Sequence, residues 1–190
     1  MFGRHKPRHA YYITVRSERT RGLPLFLRLL LVLGVIAVLL VIAYFAGYRL
    51  NLTKSLSYRI YRIVAIELGD TISRGDNVVI DISRTDNPQI AEAVERGYII
   101  PGIPMLKQIG GVPGDIVFLY ADTLHIAGTS TRMVLASEDP KGRTLTPYPT
   151  PLVLSPDQYW LVSDPERGYD SRYFGPIDRK ALTHIAAPIL

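Results

Sequence analysis

The sequence predicts a mostly-β domain carried behind one membrane-spanning helix. Three observations predict it. An uncharged, proline-free apolar run covers Leu29 to Gly47. Short runs rich in Val, Ile and aromatic residues recur downstream, two of them behind Gly-Asp pairs. Hydrophobic residues make up 47% of the 190-residue chain, enough to bury a core.

The chain opens with a basic tail. Arg4, Lys6, Arg8, Arg16, Arg19, Arg21 and Arg28 are opposed only by Glu18, a net +6. The whole chain carries +5, so the remainder is close to neutral, and the charge does not describe a nucleic-acid-binding face. The apolar run that follows has 19 residues. As a helix it spans ~28 Å, close to the ~30 Å hydrocarbon core of a bilayer. A cleaved secretory signal is the competing reading. Such signals have apolar stretches of ~7–15 residues and end in a small-x-small site. This run instead exits through Ala43-Tyr44-Phe45-Ala46-Gly47-Tyr48, which favours a retained anchor. Tyr44 and Tyr48 suit one membrane interface, and Arg28 can snorkel to the other. The positive-inside rule then divides the chain into a cytoplasmic tail (1–28), a transmembrane helix (29–48) and an extracytoplasmic domain (49–190).

Within that last segment, Val78–Ile82, Ile116–Leu119, Leu124–Ile126 and Tyr159–Val162 read as strands. Gly75-Asp76 and Gly114-Asp115 supply turns just upstream of two of them. One short helix is predicted, with Asn87 as cap, Pro88 at its first position, Ile90 and Val94 on one face, and Gly97 at its end. The stretch from Ser130 to Pro156 holds Pro140, Pro147, Pro149, Pro151 and Pro156 and reads as a long irregular excursion.

Three segments carry candidate chemistry: Asn51 to Tyr61, Pro104 to Asp115, and Trp160 to Pro176. Each has a plain structural reading, as a linker after the anchor, a turn before a strand, and a surface loop with a local ion pair. Lys107 weakens those readings, because it lies between Met105-Leu106 and Ile109 in an apolar stretch. A lysine there either snorkels out or is buried, and a buried lysine is a functional-site candidate.

Taken together and in this order, the segments resemble the Ser/Lys signal peptidases, and within them the TraF-type peptidases of conjugative transfer. Asn51, Thr53, Ser55 and Tyr61 match the nucleophile motif, with Ser57 and Arg59 replacing its proline and glycine. Leu106-Lys107 followed by Val112-Pro113-Gly114-Asp115 is similar to the lysine box. Ser163-Asp164 through Asp170-Ser171-Arg172-Tyr173-Phe174-Gly175-Pro176 resembles the last box, the most specific of the three. Arg96-Gly97-Tyr98 and Ile185-Ala186-Ala187-Pro188 also look like this subgroup.

The resemblance implies a signal-peptidase-like β-fold and a serine endopeptidase with Ser55 as nucleophile and Lys107 as general base. Thr53 stands where the family places a hydroxyl donor to the oxyanion, beside the backbone N–H of Ser55. Asp170 stands at the acidic position implicated in activity, with the role of orienting Lys107 or nearby loops, paired with Arg172. Asn51 and Asp164 are supporting positions. The serine that leader peptidases often place two residues before that aspartate is Gly168 here.

Physical chemistry sets the demand on Lys107. An ordinary lysine, with a pKa of ~10.4, is neutral in only about one molecule in 2,500 at pH 7, a deficit of roughly 4.6 kcal/mol. Burial can remove most of it by lowering the pKa up to ~3–5 units. Met105, Leu106 and Ile109 are the local candidates for the apolar wall.

The reading that follows is a membrane-bound peptidase on the outer face of a bacterial inner membrane. Its substrate is a membrane-inserted precursor such as a conjugative pilin, cleaved through an acyl-enzyme. Its partners are that precursor, the lipid bilayer and other conjugation or secretion components, with no nucleic acid. Hydrolysis and cyclisation of the product both stay open, as do a general leader peptidase and a catalytically inactive scaffold of a secretion apparatus. No cofactor is expected. The chain has no cysteine, and His5, His9, His125 and His184 lack metal-ligand spacing.

Overall fold

The computed structural model describes residues 23–51, 56, 58–163 and 168–189. Thr53, Ser55, Ser57 and Asp164 lie outside these described residues.

Helix α1 covers Leu25–Phe45. It starts ahead of the uncharged run and takes in Arg28, and it stops before Tyr48, which opens a strand instead. It is long and apolar enough to cross a membrane, and none of its residues is buried against protein. Side chains such as Leu25, Leu33, Leu40 and Phe45 are more than half exposed. A helix apolar on every side needs lipid or protein around it.

The rest is built on two antiparallel sheets. The larger orders its strands β1 (Tyr48–Leu50), β2 (Ile60–Ala65), β11 (Leu182–Pro188), β3 (Asn77–Ile80), β4 (Met105–Gly111), β9 (Gln158–Val162) and β10 (Ile177–Asp178). The smaller orders β7 (Thr129–Arg132), β6 (Thr123–Ile126), β5 (Ile116–Tyr120) and β8 (Leu152–Val153). Each sheet has its own core. Val78, Ile80, Ile109, Leu161, Phe174 and Ile177 belong to the first, whereas Val117, Leu124, Leu154 and Trp160 belong to the second.

All four strands expected from the sequence are present within a residue or two. The first ends at Ile80 rather than Ile82, because Asp81 turns its carboxylate onto the N–H of Ser83 and caps a short 3₁₀ turn over Ile82–Arg84. The helix is also present: α2 runs Pro88–Glu95, and the Asn87 side chain accepts from Gln89 N and Ile90 N. Gly97 follows with a positive φ. Ile90 and Ala93 are buried and Val94 is partly buried, so the predicted face is the packed one.

The passage from one sheet to the other explains the paired glycines after Lys107. The register of β4 against β9 shifts between Ile109 and Gly111. A Cβ on Gly110 would sit 2.7 Å from Val162, and one on Gly111 would meet Leu154 at 3.0 Å and Trp160 at 3.1 Å. The bulge brings the backbone so close to these side chains that any Cβ would force its neighbours to shift. The turn Val112–Asp115 then enters β5, held by a Val112 N–H to Asp115 bond of 2.8 Å and by the Arg74–Asp115 ion pair.

Candidate active site

Lys107 sits in the middle of β4, opposite Val78 on β3. Strand alternation puts Lys107 and Ile109 on one buried face and gives Leu106 to the other, and the bulge after Ile109 turns Gly111 toward the second core. Leu106 is therefore not part of the wall around Lys107, contrary to the expectation from sequence. The wall is made across the sheet as well as along it, with Val78 fully buried opposite the lysine. Lys107 is 7% exposed. Its Nζ donates to the carbonyl oxygen of Tyr169 at 2.8 Å.

That burial pushes the Lys107 amine below the ordinary lysine value. Two charges modify it in opposite senses: Asp170 draws it back up and Arg172 presses it down. Pairing the acid with a guanidinium thus offsets part of the pull that a buried carboxylate would otherwise exert on a neighbouring lysine.

Asp170 and Arg172 are both 0% exposed. The Asp170 carboxylate accepts from Ser163 N (2.9 Å) and Ser163 Oγ (2.8 Å) with one oxygen. Arg172 Nη2 also donates to that oxygen at 2.9 Å, and Arg172 Nε to the other at 2.8 Å. The guanidinium reaches outward to the carbonyls of Val134 (2.8 Å) and Gly168 (2.7 Å). Locally, Asp170 caps the short helix α3 (Ser171–Phe174) by accepting from the N–H of Arg172. Ser171 Oγ accepts from Leu161 N at 2.9 Å and ties the same turn to β9. Gly175 ends α3 with φ 76°, and Tyr148 lies so close that a Cβ would run into its ring. The Asp-Ser-Arg-Tyr-Phe-Gly run is thus a buried knot rather than a surface loop.

The expected pairing of Asp170 with Arg172 is present, and Lys107 is brought against the same turn. The described polar partner of Lys107 is the Tyr169 carbonyl, not the Asp170 carboxylate. Since Tyr169 precedes Asp170 in the chain, the carboxylate acts on the lysine through the backbone it fixes and through its charge. Asn51 closes the base of the β1–β2 hairpin, its N–H donating to Arg59 O at 2.8 Å and its Nδ2 to Tyr58 O at 3.3 Å. The loop it closes is the one that carries Thr53 and Ser55 in sequence.

Sequence reasoning missed an aromatic stack against this knot. Tyr169 stacks on Tyr98 (centroids 4.8 Å apart) and on Tyr173 (5.3 Å). The Tyr98 hydroxyl donates to Asp139 at 2.9 Å. Tyr98 follows directly on Arg96-Gly97, which the resemblance had singled out, so the signal was there without its partner. Among the described residues no group of acidic or histidine side chains could hold a metal ion.

A lysine buried in a β-sheet beside a fixed, charge-balanced Asp-Ser-Arg turn is an amine placed to take and return a proton. Comparisons with known proteins give the class. The signal peptidase family, peptidase S26, matches residues 23–189, and the chain belongs to that family. Its relatives include "Probable conjugal transfer protein TraF" of Sinorhizobium fredii, 32% identical over 94% of this chain and 95% of the relative. "Conjugal transfer protein TraF" of Agrobacterium tumefaciens is 34% identical over 75% of this chain and 82% of its own. "Plasmid transfer protein TraF" of Escherichia coli is 29% identical over 78% and 85%. Among solved structures, a signal peptidase I from Enterococcus faecalis aligns over 64% of this chain and 98% of its own, at 20% identity and a TM-score of 0.37.

Proposed function

We propose that the chain is a membrane-anchored serine endopeptidase in which Ser55 is the nucleophile and Lys107 the general base, acting on a membrane-inserted precursor of the conjugation apparatus, a pilin. The observation that carries this reading is the burial of Lys107 with its amine pushed toward the neutral form. A neutral amine that donates one N–H to the Tyr169 carbonyl keeps its lone pair for a proton.

In the proposed reaction Lys107 takes the proton from Ser55 Oγ as the oxygen attacks the scissile carbonyl. The oxyanion is met by the N–H of Ser55 and the hydroxyl of Thr53. The Lys107 ammonium returns its proton to the leaving amine, and the acyl-enzyme forms. Lys107 then deprotonates a water, giving a linear product, or the substrate's own amine, giving a cyclic one. Asp170 and Arg172 are positioning residues in this scheme, and Asn51 and Asp164 support the two loops. The basic tail (1–28) faces the cytoplasm, the span lies in the inner membrane, and residues from 49 onward work at its outer surface.

The test is mass spectrometry of a co-expressed pilin precursor with wild type, Ser55→Ala and Lys107→Ala. The expected result is a shortened precursor with wild type and an intact one with both variants. A further loss of one water identifies cyclisation. Processing that survives Ser55→Ala overturns the proposal. A precursor left intact by wild type, with secretory leader peptides cleaved instead, replaces the pilin by general leader substrates.

A further inference from the structure

The Tyr169 carbonyl that holds Lys107 lies in a turn whose own anchoring reaches far from the reacting residues. Its ring is the middle of three: Tyr98, Tyr169 and Tyr173 stack in sequence, with Tyr169 and Tyr173 only 4° from parallel. Burial pushes the Tyr169 phenol up to about 12, so this ring is neutral throughout the working range. The outer ring, Tyr98, is covered by the guanidinium of Arg143 at 4.5 Å and by that of Arg96 at 5.0 Å. Its hydroxyl is held by Asp139, which also accepts from the N–H groups of Lys141 and Arg143 at 2.8 Å each. Arg143 in turn donates to the carbonyl of Arg96. At the other end, the Tyr173 hydroxyl accepts from Ala136 N at 3.0 Å. Both ends of the stack are therefore fastened to the irregular excursion between β7 and β8.

We infer that the Tyr98–Tyr169–Tyr173 stack, clamped by Asp139 and Arg143, is a positioning device that holds the Tyr169 carbonyl against Lys107 Nζ. The proline-rich excursion is then a brace for the base rather than a passive loop. The inference rests on the proposed role of Lys107 for its catalytic meaning, but the placement of the lysine can be read without it. Among the described residues, the charged groups facing Lys107 are Asp170 and Arg172, both from the turn that the stack supports. Releasing the stack loosens the carbonyl, admits water to the amine and lets it return toward its ordinary basicity.

The experiment is competitive acetylation of the full-length protein in detergent micelles across pH 6–11. Lys107 is read by peptide mass spectrometry, and acylation of Ser55 by a serine-reactive probe is followed in parallel. Tyr98→Ala and Tyr169→Ala are expected to raise the pH at which Lys107 becomes reactive and to slow Ser55 acylation at neutral pH by roughly ten- to a hundred-fold. The slowed acylation recovers at high pH. Tyr169→Phe keeps the stacked ring and the carbonyl and is expected to match wild type. Should Tyr98→Ala not fold, Tyr98→Leu is read the same way. A Lys107 profile unmoved in the folded stack variants overturns the inference, whatever Ser55 does. Ser55 acylation that is indifferent to Lys107→Ala instead overturns the dyad and leaves the lysine profile to decide the stack.

Discussion

Two aspartate–arginine pairs flank the candidate site, and they are built for different work. Asp170 and Arg172 are two residues apart on one turn and wholly buried, with every described polar atom turned to protein. Asp139 and Arg143 are four apart in the excursion, with the arginine side chain about a third exposed. In this outer pair the Asp139 carboxylate is itself buried, but the Arg143 guanidinium can lean on water when the pair is disturbed. The buried pair cannot, because removing one partner leaves an uncompensated charge in a medium that solvates it poorly. The buried pair therefore sets the electrostatics that Lys107 feels, while the outer pair holds a loop in place.

The comparison breaks most sharply at Asp170. Asp170→Ala strands the Arg172 cation and also frees Ser163 and the cap of α3. The expected loss is about 3–5 kcal/mol, measured by denaturant unfolding of the full-length protein. A loss below about 1 kcal/mol would mean that the buried turn is not held by this pair.

Lys107 offers the opposite outcome. Its folded pKa lies below the unfolded value, so the folded state binds fewer protons than the unfolded one between the two pKa values. The burial cost is absent above the unfolded pKa and grows as pH falls toward the folded one. Lys107→Met keeps the packing and removes that cost, so its melting temperature at pH 7 should exceed that of wild type. The shift is ~2–4 °C for each kcal/mol gained. The advantage should shrink as pH rises toward 10.5, while Ser55 acylation is lost at every pH.

The smallest effect belongs to the outer pair. Burial pushes the Asp139 carboxyl up, but the N–H and guanidinium of Arg143, the Tyr98 hydroxyl and the Lys141 N–H outweigh it and hold it below the usual carboxylate range. Its contribution is present above the unfolded carboxylate pKa and is lost as pH falls through the lowered folded one. Amide exchange over Ser137 to Leu145 should stay slow in wild type at mildly acidic pH and quicken only under strong acid. Asp139→Asn should remove that pH dependence while leaving exchange in β9 unchanged.

Local signals made part of this legible in the sequence. The α2 helix could be read because its cap, its proline and its apolar face all lie within ten residues of one another. The four expected strands were short apolar runs of β-branched and aromatic residues, two of them just behind Gly-Asp turns. β4 was not read as a strand, because Met-Leu-Lys-Gln-Ile-Gly-Gly has little β-branched character and its burial comes from both neighbours in the sheet. That is also why Leu106 was misassigned: without the strand, alternation could not be applied. β2 and β11 went unread for a related reason, since each is fixed mainly by pairing with the other across more than a hundred residues. The Asp170–Arg172 pair was visible as neighbours in a motif, whereas the link from Tyr98 to Asp139 and Tyr169 exists only once the chain is folded. The proposed nucleophile, Ser55, lies outside the described residues.

The central claim, that Lys107 is a neutral base at working pH, is tested most directly by the pH dependence of Ser55 acylation in the full-length protein. The account predicts a rate that rises with pH, levels off at a midpoint well below the ordinary lysine value, and vanishes in Lys107→Ala. A midpoint at the ordinary lysine value, or acylation that persists with the same profile in Lys107→Ala, would contradict it.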